Sequence, residues 1–547
     1  MRRALLCFVL AACSEPPITG PITAHATHYD YQLDLDSRAA HSKVTLVADA
    51  PGDCMTLPFR AAGVTAVAFD GESADGTQAG STLQICGHGV GTGDTFMLEA
   101  DVTIALATLD RSQVGFSVTK DADGNEFTYL VSWVNGCDQF GPCDNRPDQF
   151  ATYTFDVTHS AAVTVRCSGE VTDLSPTETT CDFEHPGGPT YSTFGLAAYP
   201  AWTQTDKGTW SGVHVTVYDR ASTGIAAAID PAFHTGFLDW MQAQFGPYPF
   251  GSELRVLTAP TYWDGFEHPG NIVLDDGLAK ETGGYTHPVA HVLDHEMTHM
   301  WAGDQTTLAG TYDFAWKESM AEYLSFVWED MNDPVTSAAS SALWKADAHV
   351  AKYWPMPLDQ PALFAYYGDV YGPGPMVFFR QLEVMSSRAQ VLAAIKSVLG
   401  SAHALSIDDL VAALSRETGL DLTDYVNGWI KGMGSPNWPL VKTTFTAGAT
   451  PTDMATLAVT ITNPTTAPRG CRFHVALGDG ATNTTKILVD TYANGPTQTL
   501  TFPTPAFTVT TIALDPDHEC LVFPSTAARL ASDGAHSWLS HHDGAEK

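Results

Sequence analysis

Apolar and polar residues alternate through most of the stretch from His28 to Val217, as in Tyr29-Asp30-Tyr31-Gln32-Leu33-Asp34-Leu35 and Thr152-Tyr153-Thr154-Phe155-Asp156-Val157. Side chains of a strand point alternately to its two faces, so such runs predict strands with one covered face. Turn pairs such as Asp70-Gly71 and Asp123-Gly124 punctuate the runs, which predicts an antiparallel β domain over 28–217. From Tyr218 the pattern lengthens to helical periods, in Val289–Ala302, Trp316–Glu329, Pro375–Met385, Ile407–Leu414 and Leu422–Trp429. Alternation returns after the breaker cluster Gly434-Ser435-Pro436-Asn437-Trp438-Pro439, in Val459–Thr462 and Phe507–Ile512. The expected fold class is therefore a multidomain α+β protein. It has a helix-rich middle domain over 218–438, a small C-terminal β-sandwich over 439–524 and a polar tail over 525–547.

Composition narrows the function. The chain has 547 residues, enough for several domains at about 150 residues each. Hydrophobic residues make up 44% and charged residues 16%, which excludes wholesale disorder. Acidic residues outnumber basic ones by 62 to 27, and the net charge of −35 opposes a run of phosphate contacts, so no nucleic-acid partner is expected.

The N-terminus opens with Met1-Arg2-Arg3 and the apolar run Ala4–Ala12, of signal-peptide length and too short to span a bilayer. The end of that run, Leu10-Ala11-Ala12-Cys13, resembles the lipobox of bacterial lipoproteins. That resemblance implies a signal peptide over 1–13, a lipid anchor to the membrane through Cys13 and a linker over 14–27. The expected location is the cell envelope, as an exported bacterial lipoprotein, with plain secretion as the alternative. No later stretch is apolar enough to cross a membrane. The other cysteines except Cys7 fall in sequence-local twos, predicting disulfides Cys54–Cys86, Cys137–Cys143, Cys167–Cys181 and Cys471–Cys520.

The chemistry concentrates in His291-Val292-Leu293-Asp294-His295-Glu296-Met297-Thr298-His299. On a helix His295 and His299, four apart, share a face and can reach one metal ion, with Glu296 beside them to take a proton from a water. His291 continues that face, but eight helical residues rise about 12 Å, so one ion cannot take all three imidazoles. A carboxylate from the next helix completes a catalytic zinc set, and the candidates are Glu318 and, one turn on, Glu322.

H-E-x-x-H followed by a Glu after eighteen intervening residues resembles the aminopeptidase N and leukotriene hydrolase family of zinc metallopeptidases, which favours Glu318. Asp264-Gly265-Phe266-Glu267-His268-Pro269-Gly270 is similar to the family's G-A-M-E-N-P-G segment, and Val370-Tyr371-Gly372-Pro373-Gly374 to its Y-x-K-G-A segment. The run Phe140–Phe155 resembles the family's N-terminal β domain, and Tyr425–Pro436 the end of its catalytic domain. The resemblance implies a thermolysin-like catalytic domain with one Zn2+ on His295, His299 and Glu318, and Glu296 as general base. It gives Tyr371 the role of oxyanion donor, with Tyr366 and Tyr367 as weaker candidates. Gly265 and Phe266 would lie on a substrate-binding edge strand whose Glu267 holds the free α-amino group of a peptide. The implied activity is that of an aminopeptidase, with a zinc endopeptidase or a catalytically silent peptide-binding surface lipoprotein as alternatives. Departures are His268 for the segment's Asn, Pro373 for the lysine, and no secure second amino anchor, for which Asn135, Asp138 and Gln139 are candidates. The sandwich is not followed by the family's long helical domain, which predicts a more open cleft.

Overall fold

A computed structural model describes residues 18–106, 114–120, 124–261, 263–450, 452–462 and 468–525. The predicted signal peptide, Cys13 and the tail beyond residue 525 lie outside the described residues. Among these residues no helix is long and apolar enough to cross a membrane.

The first β region contains an eight-stranded sheet whose central strands, Thr23–Asp34 and Ala39–Ala50, show the buried-and-exposed alternation that the sequence predicts. Strand Thr23–Asp34 pairs antiparallel with Ala39–Ala50 and parallel with Phe150–Thr158. Residues 23–27 of the predicted linker are therefore strand, held by backbone pairing that the proline-rich composition upstream hides. A four-stranded sheet packs nearby, and its Glu126–Val131 strand leads into Trp133. All four predicted disulfides are present.

The boundary read at residue 217/218 is corrected by the sheet that carries the site. Strands Thr203–Trp210 and Val213–Asp219 pair with each other, and the second runs parallel to Glu253–Ala259, which runs parallel to Asn271–Asp275. Residues 203–219 thus belong to the catalytic region. Their alternation reads like the preceding β domain because periodicity does not name a strand's partner. Glu253–Ala259 and Asn271–Asp275 are buried almost throughout, as expected of strands covered on both faces. Gly265–Phe266 forms the antiparallel edge of this sheet.

Helices cover the sheet and enclose the site. Pro231–Phe245 starts with Asp230 accepting from the Ala232 N–H and with Pro231, which has no N–H to satisfy, in the first turn. Pro288–His299 likewise starts on a proline, and Phe314–Asn332 packs against it. Two stretches, Met376–Arg380 and Val426–Ile430, are π-helical inside longer helical runs. The C-terminal region packs a four-stranded sheet against a three-stranded one.

Arg469 ties that sandwich to the catalytic region. Its guanidinium donates to the carbonyls of Gly428, Asn437 and Pro436 at 2.7, 2.7 and 2.5 Å, and it lies 5.0–5.8 Å from the ring centroids of Trp354, Trp438 and Trp429. Burial lowers its pKa to about 10, so it remains a cation at neutral pH. Arg469→Ala should cost about 2–4 kcal/mol, by removing the donor of the buried Gly428 and Pro436 carbonyls and leaving a void between the indoles. Calorimetry should show a lower unfolding temperature, with Arg469→Lys recovering less than half because an ammonium cannot reproduce the planar fork. An unchanged midpoint in the alanine variant would place the strength of this junction elsewhere.

Candidate active site

His295 and His299 lie one turn apart on the inward face of Pro288–His299, a helix buried along nearly its whole length. Glu318 faces them from the Phe314–Asn332 helix. His295 Nε2 is 3.0 Å from His299 Nε2 and 3.2 Å from Glu318 Oε2, and His299 Nε2 is 3.4 Å from the same oxygen. Three donors about 2.0–2.2 Å from one zinc ion at tetrahedral angles stand roughly 3.3–3.6 Å apart. The observed triangle matches that spacing within a few tenths of an ångström, and its two imidazoles and one carboxylate are a catalytic donor set.

Glu322 is brought to the same imidazole from the opposite side. Its Oε1 is 3.0 Å from His295 Nδ1, while its Oε2 accepts from Tyr285 Oη and Trp344 Nε1 at 2.8 and 2.7 Å. His291 sits beyond it, 2.7 Å from Glu329 and 3.4 Å from Glu322, stacked on Tyr285. Glu318 thus faces the Nε2 atoms of both His295 and His299, while Glu322 faces His295 from the Nδ1 side. One helical turn separates the two carboxylates, and only the packing of the two helices tells them apart.

Glu296 points to the edge strand. A Cβ on Gly265 would collide with the Glu296 carboxylate, so the strand approaches Glu296 closely because residue 265 has no side chain. Burial pushes the Glu296 carboxyl well above its ordinary range; His295 opposes this, and the neighbouring Glu267 and Glu318 add to it. Phe266 and Glu267 also line the cavity. His268 turns away from it, fully buried, with Nδ1 2.6 Å from the Ser192 carbonyl, and so fastens this segment to the β domain.

Tyr371 completes the ring of groups. Its hydroxyl lies 3.0 Å from Glu318 Oε2 and 2.5 Å from Tyr367 Oη. A phenol has one proton and a carboxylate only accepts, so Tyr371 donates to Glu318 and accepts from Tyr367. Burial, then the Glu318 charge, keeps the Tyr371 proton on well beyond the ordinary phenol range. Tyr366 is directed elsewhere and bonds the Pro355 carbonyl.

The cleft is narrow, contrary to the expectation of an open one. Trp133, Trp263 and Tyr367 wall it in mutual edge-to-face or tilted contact, with Tyr367 4.2 Å from Trp263 and 5.3 Å from Trp133 between ring centroids. The remaining cavity is about 30 Å³. None of Asn135, Asp138 and Gln139 lines it: Asp138 is ion-paired with Arg60 at 2.6 Å, and Asn135 bonds Thr311.

Sequence reasoning passed over Lys317. This side chain is 1% exposed, and its ammonium lies 2.6 Å from Glu267 Oε1 and 2.7 Å from Glu318 Oε1. Burial alone would raise the Glu267 carboxyl, but Lys317 and then His299 outweigh it and hold Glu267 below the ordinary range. The same two groups hold Glu318 well below its own, again against burial. The available signal was a lysine next to a predicted metal ligand, on a helix whose other charged residues, Glu318, Glu322, Glu329 and Asp330, are all acidic. Helical periodicity alone does not show that it faces inward.

Comparison with known proteins agrees with this geometry. The peptidase family M1 domain matches residues 234–362, which include both metal-binding histidines and Glu318. No curated protein matches the chain. Among solved structures, an M1 zinc metallopeptidase from Deinococcus radiodurans superposes with a TM-score of 0.61 at 21% identity, covering 75% of this chain and 94% of that one. The same scores hold for a mutant of that enzyme bound to a Tyr-Ser-Ala substrate. A two-domain M1 zinc metallopeptidase mutant bound to L-arginine gives 0.61 and 21%, with coverage of 76% and 95%. Residues 234–362 thus match the peptidase family M1 domain, and the chain shares the fold of the M1 zinc metallopeptidases, which is consistent with the aminopeptidase N family that its motifs resemble and with that family's zinc cofactor.

Proposed function

We propose that the protein is a zinc aminopeptidase that removes N-terminal residues from peptides. The observation that carries this reading is the closeness of three groups with different tasks: Glu267, Glu296 and His299 each offer an atom within 4.8 Å of the others. An N-terminal residue has a single Cα between its amino nitrogen and its carbonyl carbon. A carbonyl that reaches the donor triangle therefore brings a free α-amino group to Glu267, whereas an internal residue brings an amide with a chain attached. The Deinococcus enzyme bound to Tyr-Ser-Ala supports a peptide as the substrate class.

Zinc held by His295, His299 and Glu318 supplies Lewis acidity, which activates water and polarises a carbonyl. Glu296 takes the proton of the attacking water, and its buried carboxyl is suited to hold it and then pass it to the leaving amine. Tyr371, protonated and already a donor to Glu318, turns its hydroxyl to the developing oxyanion. Gly265 and Phe266 present backbone groups at the sheet edge, where an extended peptide can add as a further strand. Glu322 fixes the His295 tautomer through Nδ1. We also infer that the protein acts outside the cytosol, with Cys13 as its lipid anchor; its four disulfides suit an oxidising compartment.

Three outcomes test the reading. A panel of aminoacyl amides with free or acetylated N-termini should be cleaved faster when free, and a chelator should stop cleavage until zinc is restored. Faster cleavage of internal bonds in blocked peptides would favour an endopeptidase. Glu296→Gln should lower kcat by about 10³-fold or more with zinc still bound, and Tyr371→Phe by about 10²–10³-fold with little change in KM. Wild-type turnover in either variant would remove that residue from its role. Glu322→Gln should weaken zinc binding by about 10–100-fold in competition with a chromogenic chelator; an unchanged affinity would leave Glu322 a packing role only.

A further inference from the structure

We propose that Lys317 is a specificity-determining residue that occupies the amino anchor in advance and so competes with the substrate's own α-ammonium for Glu267. This rests on the aminopeptidase reading and asks how strongly the site demands a free N-terminus.

The position of Lys317 is built into the fold. Its backbone is set by the same helix turn that presents Glu318, and its stem crosses Gly303, where a Cβ would stand 2.8 Å from Lys317 Cε. The ammonium lies 5.9 Å from the Tyr191 ring centroid and bridges Glu267 Oε1 and Glu318 Oε1. With the side chain 1% exposed, no route lets the charge reach solvent while the stem stays in place. A buried ammonium is tolerated only where anions surround it, and these two carboxylates are its anions.

The consequence follows from charge. Glu267 offers one negative charge, and a cation of the protein already stands 2.6 Å from it. An arriving substrate ammonium must share that carboxylate, taking the oxygen that Lys317 leaves, and must sit beside a second positive charge. The gain from a free N-terminus is correspondingly small, and an acetylated N-terminus loses little by comparison. Lys317 thus moves the enzyme toward substrates whose N-terminus is blocked or weakly basic, while Glu267 remains in place as a steric end to the cleft.

The experiment compares binding and turnover of matched ligands by the zinc-loaded, full-length protein. An amino-acid hydroxamate and its N-acetyl form are titrated calorimetrically, and the matching aminoacyl amides are assayed. The wild type should prefer the free amine by less than about tenfold, and Lys317→Met should raise that preference by about tenfold or more, because removing one member of a close buried charge set is worth that much. Lys317→Gln, which keeps a hydrogen-bond donor and removes the charge, should act in the same direction. A wild-type preference of a hundredfold or more, or an unchanged ratio in a folded variant, would overturn the proposal. If neither variant folds, the wild-type ratio alone decides it. Failure of the parent reading looks different: internal bonds of blocked peptides are cleaved faster than N-terminal ones, no panel substrate is cleaved, or cleavage survives chelation, and in each case the binding ratio still reports on Lys317.

Discussion

Carboxylates and imidazoles do not gather in a buried space without cations to hold them there. His295, His299 and Glu318 meet within 3.0–3.4 Å, and Glu267 and Glu296 stand in the same cavity. Every neighbouring feature serves this cluster. Glu322 and its donors back one imidazole, Lys317 braces two carboxylates, and Gly265 yields its side-chain space to the base. Two helices packed face to face supply the cluster, so their mutual position is the quantity the rest of the fold must protect.

Protection comes from parts of the chain distant in sequence. The β domain contributes Trp133 to the cleft wall and Tyr191 beside Lys317. The same domain holds the substrate-side strand through the bond from His268 to the Ser192 carbonyl, and Ser192 in turn donates to Asp304 just after the zinc helix. At the other end Arg469 and its indoles anchor the sandwich to the catalytic region. The narrow cleft thus presents aromatic rings on one side and charged groups on the other.

Much of this was legible in the chain because it is local. The pairing of His295 with His299 depends only on helical pitch, and the alternation of 28–157 depends only on the pleat. The family resemblance then supplied Glu318, Glu267 and Tyr371, and all three line one cavity. The two misread boundaries share one cause. Strand Val213–Asp219 and residues 23–27 take their place from distant pairing partners, and neither periodicity nor composition names a partner.

The sequence by itself determined that His295 and His299 share one helix face and that the class is α+β, because each follows from periodicity along a helix or a strand. Only the tertiary structure decided that Glu318 faces the Nε2 atoms of both imidazoles while Glu322 faces His295 Nδ1, that the cleft is narrow, and that Lys317 lies against Glu267. Those facts depend on which face of one helix meets another. A rotation of 100° per residue makes adjacent side chains such as Lys317 and Glu318 diverge on an isolated helix, and only a surrounding fold that buries both brings their charges together.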